Sequence, residues 1–248
     1  EASKAKYERI CSKLSLGPGD RVLEIGSGWG GFALHAAATR GCRITTTTLS
    51  ERQYEVARER VAAAGLGDRV TVLLEDYREL RGSFDKLASI EMIEAVGHQY
   101  YETYFRVCAE RLAPHGLAAI QAITIADSAY EQAKEGVDFI KRHIFPGGCI
   151  PSLSALAAAA ARVSDLRLVH LEDITPHYAE TLRRWRQRFL ERRDEALALG
   201  YGEDFLRMWE YYLAYCEGGF EERHLGSLQM VFARPLCRRP PILGRLSR

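Results

Sequence analysis

Short apolar runs and longer mixed stretches alternate along the first half of the chain. Arg21 to Ile25, Cys42 to Leu49, Val70 to Leu74, Asp85 to Ile90 and Gly116 to Ile125 have the length and apolar content of buried strands. Between them, Gly30 to Arg40, Glu51 to Ala64 and Tyr100 to Ala113 read as helices, the second closed by Gly65 as its C-cap. Residues 1–14 read as a leading helix and Pro18-Gly19-Asp20 as a turn. This alternation predicts an α/β fold, with a parallel sheet and helices on both faces.

From Ala126 the rhythm changes. Residues 126–163 read as mostly helical, broken at Ile144-Phe145-Pro146-Gly147-Gly148. Leu166 to Ile174 is a sixth strand, His177 to Leu199 and Glu203 to Gly218 are two long helices, and residues 226–234 are a last strand. We expect one domain over residues 1–235. Its helical cap, residues 126–163 and 176–222, would roof an acceptor pocket at the carboxyl ends of the strands. The basic tail, residues 236–248, is expected to be loose.

Composition narrows this modestly. The 34 Lys and Arg nearly balance the 33 Asp and Glu, which gives no signature of nucleic-acid binding. The six cysteines form no C-x-x-C pair and no metal-ligand spacing, so they read as packed thiols of a reducing compartment, with no metal expected. With no signal peptide and no apolar run of membrane-spanning length, the expectation is a soluble cytoplasmic protein.

The candidate chemistry begins at Val22-Leu23-Glu24-Ile25-Gly26-Ser27-Gly28-Trp29-Gly30-Gly31-Phe32. An apolar strand runs into glycines and out into a helix, and Gly26, Gly28 and Gly31 fit G-x-G-x-x-G. That pattern suits several nucleoside ligands. Glu24 narrows the choice, because a carboxylate there can accept from an α-amino group, where a dehydrogenase fingerprint is apolar. No acid ends the second strand, where a dinucleotide site places its ribose-binding Asp or Glu. Both points favour S-adenosylmethionine over NAD.

Further pieces resemble the cyclopropane-fatty-acyl-phospholipid synthase family, which includes the mycolic acid cyclopropane synthases. They are Thr48-Leu49-Ser50-Glu51-Arg52-Gln53, Ser89-Ile90-Glu91-Met92-Ile93-Glu94-Ala95-Val96-Gly97, Ile144 to Gly148, His177-Tyr178-Ala179 with Trp185, and Tyr215-Cys216-Glu217 with Phe220. The resemblance implies a Rossmann-like seven-strand methyltransferase sheet. It also implies transfer of the sulfonium methyl of S-adenosylmethionine to the cis double bond of an unsaturated phospholipid acyl chain, with bicarbonate accepting a proton as a cyclopropane ring closes. Excluding water would preserve the cationic chain.

Carried over by position, the resemblance puts Glu24, Gly26, Ser27, Gly28, Trp29 and Gly30 at the methionine end of the cofactor. Thr48, Leu49, Ser50 and Gln53 flank its ribose and adenosine, Asp76 and Tyr77 border the adenine, and Ser89 belongs to the same site. Glu94, Gln121, Ile123 and Tyr178 are the implied catalytic set around the bicarbonate. Gln121 stands where the family usually has His and Ala95 where it often has His; an amide can donate but does not titrate near neutral pH. A cysteine-containing loop of the family would lie upstream of residue 1. A methyl- or methylene-branched product therefore stays open beside the ring.

Blander readings also stand. Glu94 could be a helix-start carboxylate, Tyr178 a core phenol, Gln121 a partnered buried amide, Cys149 a packed thiol, and His143 and His177 structural. The aromatics Trp185, Phe189, Phe205, Trp209, Tyr212 and Tyr215 have helical spacing and read mainly as core. Arg183, Arg184, Arg186, Arg188, Arg192 and Arg193 are either a solvated helix face or a contact with an anionic membrane surface. The resemblance implies a protein peripheral to the inner membrane face, with a homodimer possible. A small-molecule methyltransferase and a non-catalytic cofactor-binding subunit are the competing functional readings.

Overall fold

A computed structural model describes residues 1–240 and 242. In chain order the elements are α1 (Ala2–Leu14), β1 (Arg21–Ile25), α2 (Gly31–Arg40), β2 (Arg43–Thr48), α3 (Glu51–Ala63), β3 (Val70–Leu74), β4 (Phe84–Ile90), α4 (Tyr101–Arg111) and β5 (Leu112–Ile125). There follow α5 (Asp127–Glu135), α6 (Phe139–His143), α7 (Leu153–Val163), β6 (Arg167–Asp173), α8 (Thr175–Glu191), α9 (Arg193–Ala198), α10 (Glu203–Glu221) and β7 (Leu225–Ala233).

The strands form one seven-stranded sheet in the order β3-β2-β1-β4-β5-β7-β6. β1 to β5 pair in parallel, whereas β7 runs antiparallel to both β5 and β6. The order reverses at β1 and β4, so their carboxyl ends flank a crevice.

The alternation within β1 decides which core each side chain enters. Val22 joins Ile10, Leu14, Phe32, Ala36 and Ile44 under α1 and α2. Leu23 and Ile25 join Leu87, Tyr104, Phe105 and Phe232 beneath α4 and α7. A separate small cluster of Ala179, Leu182, Leu213 and Phe220 joins α8 to α10, with Ile123 and Leu225 packed against it from the sheet. The cap thus rests on the carboxyl end of β5 and the amino end of β7.

The helix expected over residues 177–199 is two helices, α8 and α9, interrupted at Arg192 (φ −109°, ψ 23°). Asp194 and Glu195 fall in the first turn of α9, where negative charge favours a helix start. The tail departs from expectation where it is described. Cys237 and Ile242 pack on the α1–α2 core, and Arg239 donates to the Ser12 carbonyl at 2.9 Å. Residues 241 and 243–248 lie outside the described residues.

Candidate active site

The glycine loop closes β1 onto β2. The N–H groups of Gly26 and Ser27 both donate to the Thr47 carbonyl, at 3.1 and 2.8 Å. Gly26, Gly28 and Gly30 all have positive φ, at 94°, 48° and 80°, which glycine adopts without steric penalty. Their surroundings differ. A Cβ on Gly26 would lie 3.0 Å from the Met92 side chain, and one on Gly30 would lie 3.2 Å from Ala57. A Cβ on Gly28 would meet nothing within 4 Å. Gly26 and Gly30 serve close packing, and Gly28 alone faces open space. Ser27 is buried, with its hydroxyl on the Gly28 carbonyl at 3.1 Å. Trp29 is 52% exposed, and its carbonyl accepts from Arg60 at 2.6 Å.

Glu24 sits under this loop and is buried. Desolvation pushes its carboxyl up to about 8, partly opposed by Thr46, its register partner on β2. Its Oε2 has no hydrogen-bond partner. A buried acceptor without a donor is costly in a folded protein. A ligand ammonium would supply the donor, so this position fits the amino acid end of S-adenosylmethionine.

At the end of β2, the Thr48 hydroxyl donates to Oε1 of Gln53 at 2.9 Å and accepts from the Ser50 N–H at 3.1 Å. This leaves the Gln53 NH2 as the outward group. Ser50 is the N-cap of α3, accepting from the Gln53 N–H, so its hydroxyl has a structural partner. Leu49 is 70% exposed. Asp76 is gripped by Arg78 through two side-chain bonds of 2.9 and 2.6 Å, and these hold its carboxyl below the usual range. Its carboxylate is therefore not free in this structure. Tyr77 packs edge-on against Tyr104, with centroids 5.8 Å apart. Ser89 is buried and donates to the Ile25 carbonyl at 3.1 Å, tying β4 to β1 beneath the loop.

On the other side of the crevice the side chains converge on a residue the sequence reading left without a role. Glu91 follows β4 with φ 54°, a left-handed conformation uncommon outside glycine. Its Oε1 accepts from Gln121 Nε2 at 2.6 Å and lies 3.1 Å from Lys6 Nζ. Its Oε2 accepts from the Tyr178 hydroxyl. Glu91 shares one signal with Glu24, an acid closing an apolar strand.

Glu94 lies one short turn further on. Its Oε1 accepts from the Ile123 N–H at 2.5 Å, and its Oε2 is buried and unpartnered. Desolvation pushes its carboxyl up to about 8, with the Glu91 charge adding to the shift. The Pro-Gly-Gly turn packs against this segment, and Cys149 donates its N–H to the Glu94 carbonyl at 2.8 Å. Cys149 is buried, as expected of a packed thiol. The donors that the resemblance grouped around a bicarbonate are thus engaged by protein carboxylates. Gln121 and Tyr178 close on Glu91, and Ile123 on Glu94. With those donors engaged, no step is derived through that ion.

The cap gives its charged and aromatic side chains their partners. On α8, Arg183 and Arg186 pair with Glu217 and Arg183 and Arg184 with Glu180, while Arg193 of α9 pairs with Glu203. The aromatics divide: Trp209, Tyr212 and Phe189 pack on the cap cluster, while Trp185, Tyr211 and Tyr215 are exposed. Phe220 lies against the Tyr178 ring at 4.7 Å.

A sheet of this order, with its glycine loop at the reversal point and a buried acid beneath, defines a Rossmann-like methyltransferase fold. Residues 1–230 match the mycolic acid cyclopropane synthetase family, and the chain belongs to that family of S-adenosylmethionine-dependent methyltransferases. It is 44% identical over 233 residues to tuberculostearic acid methyltransferase UfaA1 of Mycobacterium tuberculosis, covering 94% of this chain and 54% of that protein. It is 38% identical over 234 residues to cyclopropane-fatty-acyl-phospholipid synthase of Escherichia coli, covering 94% and 58%. The chain therefore spans somewhat over half the length of these relatives. Among solved structures, mycolic acid cyclopropane synthase CmaA1 complexed with SAH and CTAB superposes with a TM-score of 0.85 at 26% identity, covering 92% of this chain and 83% of that one.

Proposed function

We propose that the protein transfers a methyl group from S-adenosylmethionine to the double bond of an unsaturated lipid acyl chain, and that the product is a methyl- or methylene-branched chain. The observation that carries this reading is the carboxylate of Glu91 held between Gln121 and Tyr178. Glu91 engages two of the donors, Gln121 and Tyr178, that the resemblance assigned to an external anion. The 44% identity to a protein named for tuberculostearic acid methylation supports the same reading.

Glu24, the loop around Gly28 and the amide of Gln53 would hold the cofactor. When bound, S-adenosylmethionine supplies an electrophilic methyl group. An alkene that has gained a methyl carries positive charge on the adjacent carbon until a proton leaves. Glu91 takes that proton; Gln121 and Tyr178 fix where its oxygens stand, although as donors they favour the ionised carboxylate over the protonated one. Loss from the new methyl closes a ring, loss from a chain carbon leaves a methyl-branched alkene, and a 1,2-hydride shift onto the cationic carbon followed by loss from the methyl leaves a methylene branch. Because one unsaturation survives in the last two cases, a saturated branch needs a separate reduction by a hydride donor.

No described helix is long and apolar enough to cross a membrane. The acceptor chain is reached by peripheral contact, and exposed Phe145, Tyr211 and Tyr215 on the cap suit an interface better than the ion-paired arginines do.

The test uses the full chain, methyl-labelled S-adenosylmethionine and vesicles of a cis-unsaturated phospholipid, with released acyl chains read by mass spectrometry. A gain of one CH2 with a double bond retained is expected. A gain with no double bond left would mean ring closure and return the cyclopropane reading. Label in polar acceptors but not in lipid would mean a small-molecule methyltransferase. Cofactor binding without any transfer would mean a binding subunit.

A further inference from the structure

A row of polar side chains crosses the sheet behind Glu91. Gln121 of β5 pairs in register with Gln229 of β7, and Gln229 with Glu172 of β6. Lys13 of α1 lies over the row and donates to Oε1 of Gln229 and to Glu172, which also pairs with Arg9. Gln229 Nε2 donates to Gln121 Oε1 at 2.9 Å, and Gln121 Nε2 donates to Glu91 at 2.6 Å. Lys13, Gln121 and Gln229 are all buried. An apolar row would satisfy the sheet with no polar group to desolvate.

The two ends of the row are chemically unlike. An ammonium has donors only, and an ionised carboxylate has acceptors only. Lys13 is an ammonium at neutral pH, since burial lowers its pKa only to about 8. A glutamine amide has nearly the same shape whichever way it faces, so its neighbours decide its orientation. Between Lys13 and Glu91, one orientation gives every contact one donor and one acceptor. In the reverse orientation Gln229 would set its NH2 against the ammonium, and Gln121 would set its carbonyl against the carboxylate.

We propose that Lys13 and Gln229 are positioning residues for methyl transfer: Lys13 fixes the facing of Gln229, Gln229 fixes that of Gln121, and an N–H is thereby presented to Glu91. This inference rests on the reading of Glu91 as proton acceptor. It assigns the reaction a requirement that begins in α1, the helix that also brings Lys6 to Glu91.

The deciding variant is Gln229→Glu. It is nearly isosteric and keeps a partner for Lys13, but it offers Gln121 only acceptor oxygens. Gln121 then lies between two carboxylates, and its NH2 is divided between them instead of held on Glu91. In the full chain, with labelled S-adenosylmethionine and cis-unsaturated phospholipid vesicles, kcat is expected to fall on the order of tenfold or more, because the Glu91 carboxylate is no longer held in place. The KM for S-adenosylmethionine stays within about twofold, a split that general destabilisation would not give. Without substrate or cofactor, the 15N-labelled side-chain amide of Gln121 gives one hydrogen-bonded signal in the wild type. That signal shifts in Gln229→Glu and splits into two populations in Lys13→Met, which leaves both glutamines in place and so tests the same point independently. Wild-type kcat in Gln229→Glu, or an unchanged Gln121 signal in both variants, overturns the proposal. If the wild type itself moves no methyl to lipid, the functional reading fails, and the amide signals alone decide whether the row sets the facing of Gln121.

Discussion

The two sides of the crevice are held together over very different spans of chain. On the cofactor side the decisive bonds are local or join adjacent parallel strands: Thr48 to Gln53, Ser50 to Gln53, and the loop N–H groups to Thr47. On the acceptor side, Glu91 takes Lys6 from 85 residues away, Gln121 from 30 and Tyr178 from 87. Behind it, Gln229 joins Gln121 across 108 residues. The cofactor side depends on backbone conformation. The acceptor side is a meeting of side chains from α1, β4, β5 and α8, where one changed residue alters the chemistry without disturbing the loop.

Substitutions on the two sides should therefore fail differently. Glu91→Gln removes the proposed base and should lower methyl transfer by about 10²-fold or more, with cofactor affinity unchanged by calorimetric titration. Equal loss of binding and turnover would break the division between the two sides. Glu24→Gln should do the reverse. Losing a charge-assisted bond of about 1.5–3 kcal/mol weakens cofactor binding roughly 10- to 150-fold, while turnover at saturating cofactor falls far less.

The same residue carries a pH signature. Glu24, pushed up to about 8 by burial, holds a proton at neutral pH, whereas an arriving ammonium favours the ionised form. Cofactor binding at pH 7 should release up to one proton and tighten by up to about tenfold per unit between pH 6 and 8. Titration calorimetry in two buffers of different ionisation enthalpy measures this, and Glu24→Gln should abolish it.

Folding stability gives a smaller and more diffuse effect. Glu24 and Glu94 keep protons in the folded chain that the unfolded chain loses near 4.5. The unfolded state thus binds fewer protons between about 4.5 and 8, and stability falls as pH rises through that window and levels off above it. Denaturant unfolding at pH 6 and pH 8 should show the drop, reduced in Glu24→Gln. The smallest effect is expected of Gly28→Ala. Its left-handed φ of 48° costs about 1 kcal/mol with a side chain, and no neighbour is within 4 Å of the added Cβ. A greater loss of cofactor affinity than of stability would identify that space as the cradle.

The sequence by itself determined the parallel part of the sheet, β1 to β5, the loop at its reversal point and Glu24 beneath it. These follow from strand and helix periodicity and from glycine conformations, which depend on neighbours in the chain. It also named Glu94, Gln121, Ile123 and Tyr178, but not what they touch. The tertiary structure alone decided that Glu91 stands among them, because strand order brings β4 beside β5 and the cap lays Tyr178 over both. It decided likewise that the arginines of α8 face Glu217 on α10, since helix pairing rather than local charge sets their partners. Lys13 shows the limit most plainly: in the sequence it is one basic residue on a helix, and only antiparallel pairing of β7 with β5 and β6 places a buried amide and an acid beneath it.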